Sequence, residues 1–133
     1  MNVEDILARK SSNEVRSIGS ERSVEEAVAE LVQHNIGSLS VMEGGRPVGI
    51  ITERDILRAC ASENRPLADT RVEERMTRNV ITGSANDKVS DVMGWMTEMR
   101  IRHLPVLEQD QLAGMVSIGD IVKRRVHEYE TEQ

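Results

Sequence analysis

Gly49-Ile50-Ile51-Thr52-Glu53-Arg54-Asp55 returns 65 residues later as Gly114-Met115-Val116-Ser117-Ile118-Gly119-Asp120. Each stretch runs from a glycine through two apolar residues to a hydroxyl residue, with an aspartate three positions beyond it. Sliding the chain on itself by the same 65 places also lays Val15 on Val80, Val24 on Val89, Ile36 on Ile101, Leu39 on Leu104, Val41 on Val106, Glu43 on Glu108 and Ile56 on Ile121. Nine identities between 15–57 and 80–122, without a gap, exceed what unrelated composition would give, so the chain is a tandem duplication. A shorter echo precedes each copy. Val3-Glu4-Asp5-Ile6-Leu7 resembles Val72-Glu73-Glu74-Arg75-Met76 at an offset of 69, so the first copy carries four extra residues before Val15, assigned to a loop. Residues 61–69 are polar and contain a proline, as a linker does, and the copies divide as 1–65 and 66–133.

The patterning within a copy supplies its elements. Ser23 precedes Val24, Ala27, Val28, Leu31 and Val32, a stripe that predicts an amphipathic helix, with Glu26 completing a Ser-x-x-Glu capping box. Its counterpart carries Val89, Val92, Met93 and Met96, with Asp87 as the cap. Leu39-Ser40-Val41-Met42 and Val48-Gly49-Ile50-Ile51 flank the turn-prone Glu43-Gly44-Gly45-Arg46 and read as a hairpin, repeated at 104–107 and 112–116. A second helix starting near Glu53 is expected to bury Ile56, Leu57 and Cys60, mirrored by Ile121, Val122 and Val126. With short strands at 15–18 and 80–82, each copy is β-α-β-β-α, and the fold class is mixed α/β (α+β). One copy could hardly bury its apolar faces alone. Two packed about a pseudo-two-fold axis could, and that symmetry would create two equivalent clefts.

The composition narrows the function. A chain of 133 residues, 38% hydrophobic and 30% charged, suits one compact domain or two very small ones on a shared core. Trp95 and Tyr129 are its only aromatics, which excludes the stacked-base platforms of single-strand nucleic-acid binders. The copies hold eight basic against eleven acidic and nine against twelve, so each carries −3 of the net −6, opposing capture by nucleic acid or an anionic membrane. Cys60 is the only cysteine, which excludes an internal disulfide, and nothing beside it suggests an activated thiolate. No apolar run approaches the roughly 18 residues of a membrane span, and the N-terminus lacks a basic and then apolar leader, so a reducing cytoplasm is expected. His34, His103 and His127 form no ligand doublet, and no metal site is expected.

The repeated motif admits two readings. In one, Thr52 or Ser117 caps a helix and the aspartate answers from the third position. In the other, the glycine lets backbone approach a ligand, the hydroxyl and helix N-terminus meet a phosphate, and the carboxylate accepts from the vicinal diol of a ribose. A charge-assisted hydrogen bond contributes about 1.5–3 kcal/mol and a helix terminus about 0.3–1 kcal/mol, so the aspartate would dominate such a site.

Here the chain resembles the tandem cystathionine-beta-synthase (CBS) domain pair, or Bateman module, over nearly its whole length. The resemblance rests on the duplicated Gly-x-x-Thr/Ser-x-x-Asp stretches, on Ile101-Arg102-His103-Leu104-Pro105-Val106 with its partner Ile36-Gly37-Ser38-Leu39-Ser40-Val41, and on Val72-Glu73-Glu74-Arg75-Met76-Thr77. It implies two CBS repeats forming a regulatory module without catalysis, binding AMP, ADP or ATP, and in some relatives S-adenosylmethionine or NAD, between repeats. It implies that Thr52 and Asp55 work with Val80, Ile81 and Thr82, and Ser117 and Asp120 with Val15, Arg16, Ser17 and Ile18. Ile50 and Met115 would line the same positions. It also implies a homodimer and a regulated partner protein whose identity is not legible.

The copies differ where such a ligand would lie. Ser38 and Ser40 stand where the second copy has His103 and Pro105, and Arg54 stands where it has Gly119, so unequal affinities are expected. Arg102 and His103 are candidates for phosphate contact, and polyphosphate binding would then strengthen as pH falls through the histidine range. Lys123-Arg124-Arg125 reads as a solvated face. Trp95 is expected on the helix face opposite the methionines, at an interface. A competing function is a ligand-free protein-interaction module of the same fold. A small enzyme has least support, since there is no nucleophile beside a base, no metal spacing and no Walker lysine.

Overall fold

The computed structural model describes residues 1–10, 13–62 and 64–132, with side chains described as far as residue 126. In chain order the elements are α1 (Val3–Arg9), β1 (Ser17–Gly19), α2 (Val24–His34), β2 (Ser38–Glu43), β3 (Arg46–Thr52), α3 (Glu53–Ser62), a 3-10 turn (Leu67–Asp69), α4 (Val72–Arg75), α5 (Val89–Met99), β4 (His103–Glu108), β5 (Gln111–Ser117) and α6 (Ile118–Glu132). Among the described residues no helix is long and apolar enough to cross a membrane.

The chain divides into two compact units that do not follow the repeat borders. One, the Asp55 unit, spans Arg16–Val80. The other, the Asp120 unit, joins Met1–Val15 to Ile81–Gln133. The reason lies in the two short lead helices. Val3 and Ile6 of α1 are buried among Val89, Val92, Leu104 and Val116, while Val72 of α4 is buried among Val24, Leu39 and Ile51. Backbone pairs fix the same partition: Val3 N–H donates to the Asp87 carbonyl (2.9 Å), and Val72 N–H to that of Arg22 (2.8 Å).

In the Asp55 unit β1 runs parallel to β2, and β2 antiparallel to β3. Ser23 caps α2 by accepting the Glu26 N–H at 3.1 Å, but the Glu26 carboxylate pairs with Arg22, so the expected box is closed from one side only. Val24, Ala27 and Leu31 face the core, whereas Val32 is 75% exposed. Helix α3 corrects another expectation: it buries Asp55, Ile56 and Ala59, while Leu57 and Cys60 face outward. Asp55 folds back on Thr52, which turns its side of the helix inward and carries positions 57 and 60 to the opposite side. Part of the expected linker is structured, with Thr70 buried and its hydroxyl on the Pro66 carbonyl at 3.1 Å; Glu63 lies outside the described residues.

The Asp120 unit pairs β4 with β5 alone. The strand expected at 80–82 is reduced to one parallel bridge, Gly83 to Val106. The cause is Pro105. Its counterpart Ser40 donates its N–H to the Arg16 carbonyl at 3.0 Å and extends β1, whereas proline has no N–H to give. Trp95 packs half-buried on the core of this unit, while Met93, expected in the apolar stripe, points out. Asp87 does not cap α5; its carboxylate accepts the Ser84 N–H at 2.7 Å and Lys88 holds the cap position. On α6, Ile121 is buried but Val122 and Val126 are more than half exposed.

Candidate functional site

Each motif sits where a hairpin strand passes into the following helix. At the end of β3, the Thr52 N–H donates to Asp55 Oδ2 at 2.9 Å, the Thr52 hydroxyl donates to the same oxygen at 3.1 Å, and the Asp55 N–H returns to Thr52 Oγ1 at 3.3 Å. At the end of β5, the Ser117 N–H donates to Asp120 Oδ2 at 2.8 Å and the Asp120 N–H returns to Ser117 Oγ at 3.1 Å. Both aspartates therefore close capping boxes.

What else each carboxylate meets differs. Asp55 is 6% exposed, and its Oδ1 accepts the Thr77 hydroxyl at 3.2 Å, so both of its oxygens are engaged inside its own unit. The Asp120 side chain is 23% exposed, and its Oδ2 also accepts the ammonium of Lys10 at 3.0 Å. Among the described residues Oδ1 of Asp120 accepts no hydrogen bond. Lys10 donates as well to the Met115 carbonyl at 2.7 Å. The equivalent carbonyl, that of Ile50, accepts the Thr77 N–H at 2.8 Å. One lysine side chain thus replaces two of the three contacts of Thr77, the N–H on the strand carbonyl and the hydroxyl on the carboxylate, though on the other carboxylate oxygen. Thr77 and Lys10 were not among the sequence candidates. The offset of 69 aligns Thr77 with Ala8, inside α1, so the repeat itself carries no signal for either.

The glycines have a local explanation. A Cβ on Gly49 would meet the Thr77 carbonyl oxygen at 2.5 Å, and one on Gly114 would meet the Leu7 side chain at 2.8 Å. What approaches them is the chain's own lead segment: Leu7 of α1 at one, Met76 and Thr77 after α4 at the other. A packing reason for each glycine thus stands beside the reading in which it admits a ligand.

The remaining candidates fall as follows. Register places His103 opposite Ser117, and its counterpart Ser38 opposite Thr52. The Arg102 carbonyl accepts the Ile118 N–H at 2.9 Å, holding the start of α6, and its side chain is exposed. Lys10, Arg102, His103, Met115, Ser117 and Asp120 are thus gathered by one unit. The Asp55 unit gathers Ile50, Thr52, Arg54 and Asp55, with Ile50 buried in its bridge to Thr77 and Arg54 exposed on α3. Val80 is half-buried three residues past that bridge. Arg16, Ser17 and Ile18 belong to the Asp55 unit and Val15, Ile81 and Thr82 to the Asp120 unit; Ile18 is in the core and Ile81 packs on one, while Arg16, Ser17 and Thr82 are exposed. Among the described residues no group of histidine, cysteine, aspartate or glutamate could hold a metal ion; the His127 side chain lies outside them.

The motif's chemistry can therefore be stated for each carboxylate. Asp120 retains an acceptor oxygen beside an ammonium, partly open to solvent, and fits a vicinal diol with an anionic group nearby. Asp55 keeps one acceptor site on Oδ1 beside the Thr77 hydroxyl, but at 6% exposed it is the less accessible of the two.

A family profile for the CBS domain matches residues 3–62 and 72–127. Among curated proteins, the chain is 43% identical over 115 residues to the mitochondrial CBS domain-containing protein CBSX3 of Arabidopsis thaliana, covering 83% of this chain and 56% of that one. It is 31% identical over 110 residues to YhcV of Bacillus subtilis, covering 83% and 78%. The chain thus spans little more than half of the CBSX3 protein. Among solved structures, a putative signal-transduction protein with CBS domains from Burkholderia ambifaria superposes with a TM-score of 0.92 at 36% identity, covering 96% of this chain and 95% of that one. The CBS domain pair of protein MJ0100, solved with 5′-methylthioadenosine and S-adenosyl-L-methionine, gives 0.83 at 33%, covering 96% and 98%.

Proposed function

The chain belongs to the CBS domain family as a tandem CBS pair, and from that premise we propose that it is a ligand-sensing regulatory module. It holds an adenosyl compound, AMP, ADP or ATP before S-adenosylmethionine or NAD, through the ribose diol at Asp120, with Asp55 as the weaker position. The observation that carries this reading is the unspent Oδ1 of Asp120, a charged acceptor left open beside Ser117 and Lys10. The binding of two adenosyl ligands by the MJ0100 pair supports the ligand class. The module does no catalysis of its own, and bound ATP leaves unhydrolysed.

Calorimetry with AMP, ADP, ATP, S-adenosylmethionine and NADH tests it. Binding of at least one is expected, and Asp120→Asn, which keeps an oxygen for the cap but loses the charge, is expected to weaken it about tenfold or more. Silence across the panel overturns the proposal.

A second reading, a protein-interaction module without ligand, draws on Asp55, whose two oxygens are already satisfied. Leu57 and Val122, equivalent exposed positions on α3 and α6, favour a homodimer under either reading. Native mass spectrometry of gently purified protein separates the two: a retained nucleotide supports the first, and a retained protein without nucleotide supports the second.

A further inference from the structure

The Lys10–Asp120 pair joins residues 110 positions apart, and stability alone is a poor account of it. Both side chains are about a quarter exposed, 27% and 23%, and ion pairs open to water contribute roughly 0–1 kcal/mol. Helix α1 is already anchored by Val3 and Ile6, which are 0% and 2% exposed. The ammonium's two acceptors, the Met115 carbonyl and Asp120 Oδ2, leave one of its three N–H groups to bind something else. The Asp55 unit fills the corresponding place with Thr77, which brings no charge.

Resting on the function proposed above, we infer that Lys10 is the specificity-determining residue of the Asp120 position, selecting adenosyl ligands that carry a phosphate over those that do not. A ribose diol on Asp120 Oδ1 puts the ligand beside the ammonium. A flexible lysine side chain can turn its remaining N–H, or its whole charge, to an anionic 5′ substituent without leaving the site. An uncharged 5′ group gains nothing from it. Arg102 precedes β4, where His103 faces Ser117 across the hairpin, so a guanidinium lies on the same unit. Among the described residues the Asp55 carboxylate meets no ammonium, and that position lacks this selection.

The test compares AMP with adenosine by calorimetry, in wild type, Lys10→Met and Lys10→Arg. Wild type is expected to prefer AMP, with a preference that falls as salt rises, whereas adenosine binding is insensitive to salt. Lys10→Met is expected to weaken AMP about tenfold while changing adenosine less than about twofold, and Lys10→Arg to keep the preference. Equal weakening of both ligands by Lys10→Met would mark a structural tie and overturn the inference. Tighter binding of both would do the same, by marking Lys10 as a competitor for the carboxylate. So would a wild type that binds AMP and adenosine alike. A wild type that binds neither overturns the inference alone; the proposed function falls only with silence across the wider panel. If Lys10→Met fails to fold, Lys10→Gln gives the same comparison.

Discussion

Asp55 and Asp120 are the same residue copied, at the same step from strand to helix, yet one has become part of a core and the other has stayed at a surface. The difference traces to the lead helices. α4 ends after Arg75, and the chain then runs extended, so that Thr77 pairs with Ile50 through both backbone groups and closes over Asp55. α1 continues to Arg9, covers Gly114 with Leu7, and leaves the carboxylate to a side chain that reaches back from Lys10. A few residues of extra helix exchange a neutral, fixed neighbour for a charged, mobile one. The surroundings of a copied aspartate can therefore diverge without any change at its own position.

The sharpest way to break this comparison is to remove both carboxylates in turn. Asp55→Ala takes away the cap made by a buried carboxylate together with its part-buried bond from Thr77, and is expected to cost about 2–3 kcal/mol in urea unfolding. Asp120→Ala loses a partly exposed cap, at about 1 kcal/mol. Equal losses would mean that burial does not separate the two. One step outward, Thr77→Val is expected to cost about 1 kcal/mol, and Lys10→Met no more than about 0.5 kcal/mol. A Lys10→Met loss larger than that of Thr77→Val would make the lysine a structural strut.

Pro105 supplies the next contrast. Pro105→Ser restores the N–H that Ser40 uses, and is expected to lengthen the residual bridge at Gly83 into a strand. The gain is about 0.5–1 kcal/mol, with a slowly exchanging amide at position 105 as its signature. An amide at that position exchanging at the rate of an open loop would show that proline is not what shortens the strand.

The fold was readable because its signals are local. The stripe from Val24 to Leu31, the two hairpins and the 65-residue period all survive in the structure. The hairpin turns even keep their shape, with positive φ at Gly44 and Gly45 and again at Gln109 and Asp110, where no glycine announces it. Misreadings arose where a distant contact decides an orientation. Leu57 and Cys60 look like a core face until Asp55, a charged residue, is allowed inside. Trp95 looks spare until the core of the Asp120 unit is assembled beside it. The capping geometry of Asp55 and Asp120 was legible for the same local reason, but Thr77 is 22 residues from its aspartate and Lys10 is 110. No spacing rule reaches them.

The smallest effect sharpens the contrast between the lead helices themselves. At the start of α1 the box is closed from both sides, since the Asn2 N–H donates to Asp5 and the Asp5 N–H to the Asn2 side chain. At α4 the cap position is Arg71, whose side chain has no acceptor, and the Glu74 carboxylate alone accepts the Arg71 N–H at 2.7 Å. That hydrogen bond, with the Arg65 guanidinium at 2.8 Å, holds the Glu74 carboxyl below its ordinary 4.5. Folding thus lowers its proton affinity, so the stabilisation is full above 4.5 and disappears as pH falls through the folded value. Glu74→Gln keeps an acceptor for the Arg71 N–H and removes only the charge. Its thermal midpoint is expected to lie slightly below that of wild type at neutral pH and to merge with it as pH falls from 4.5 through the folded value. A gap that stays constant across that range would show that the charge of Glu74 contributes nothing to the start of α4.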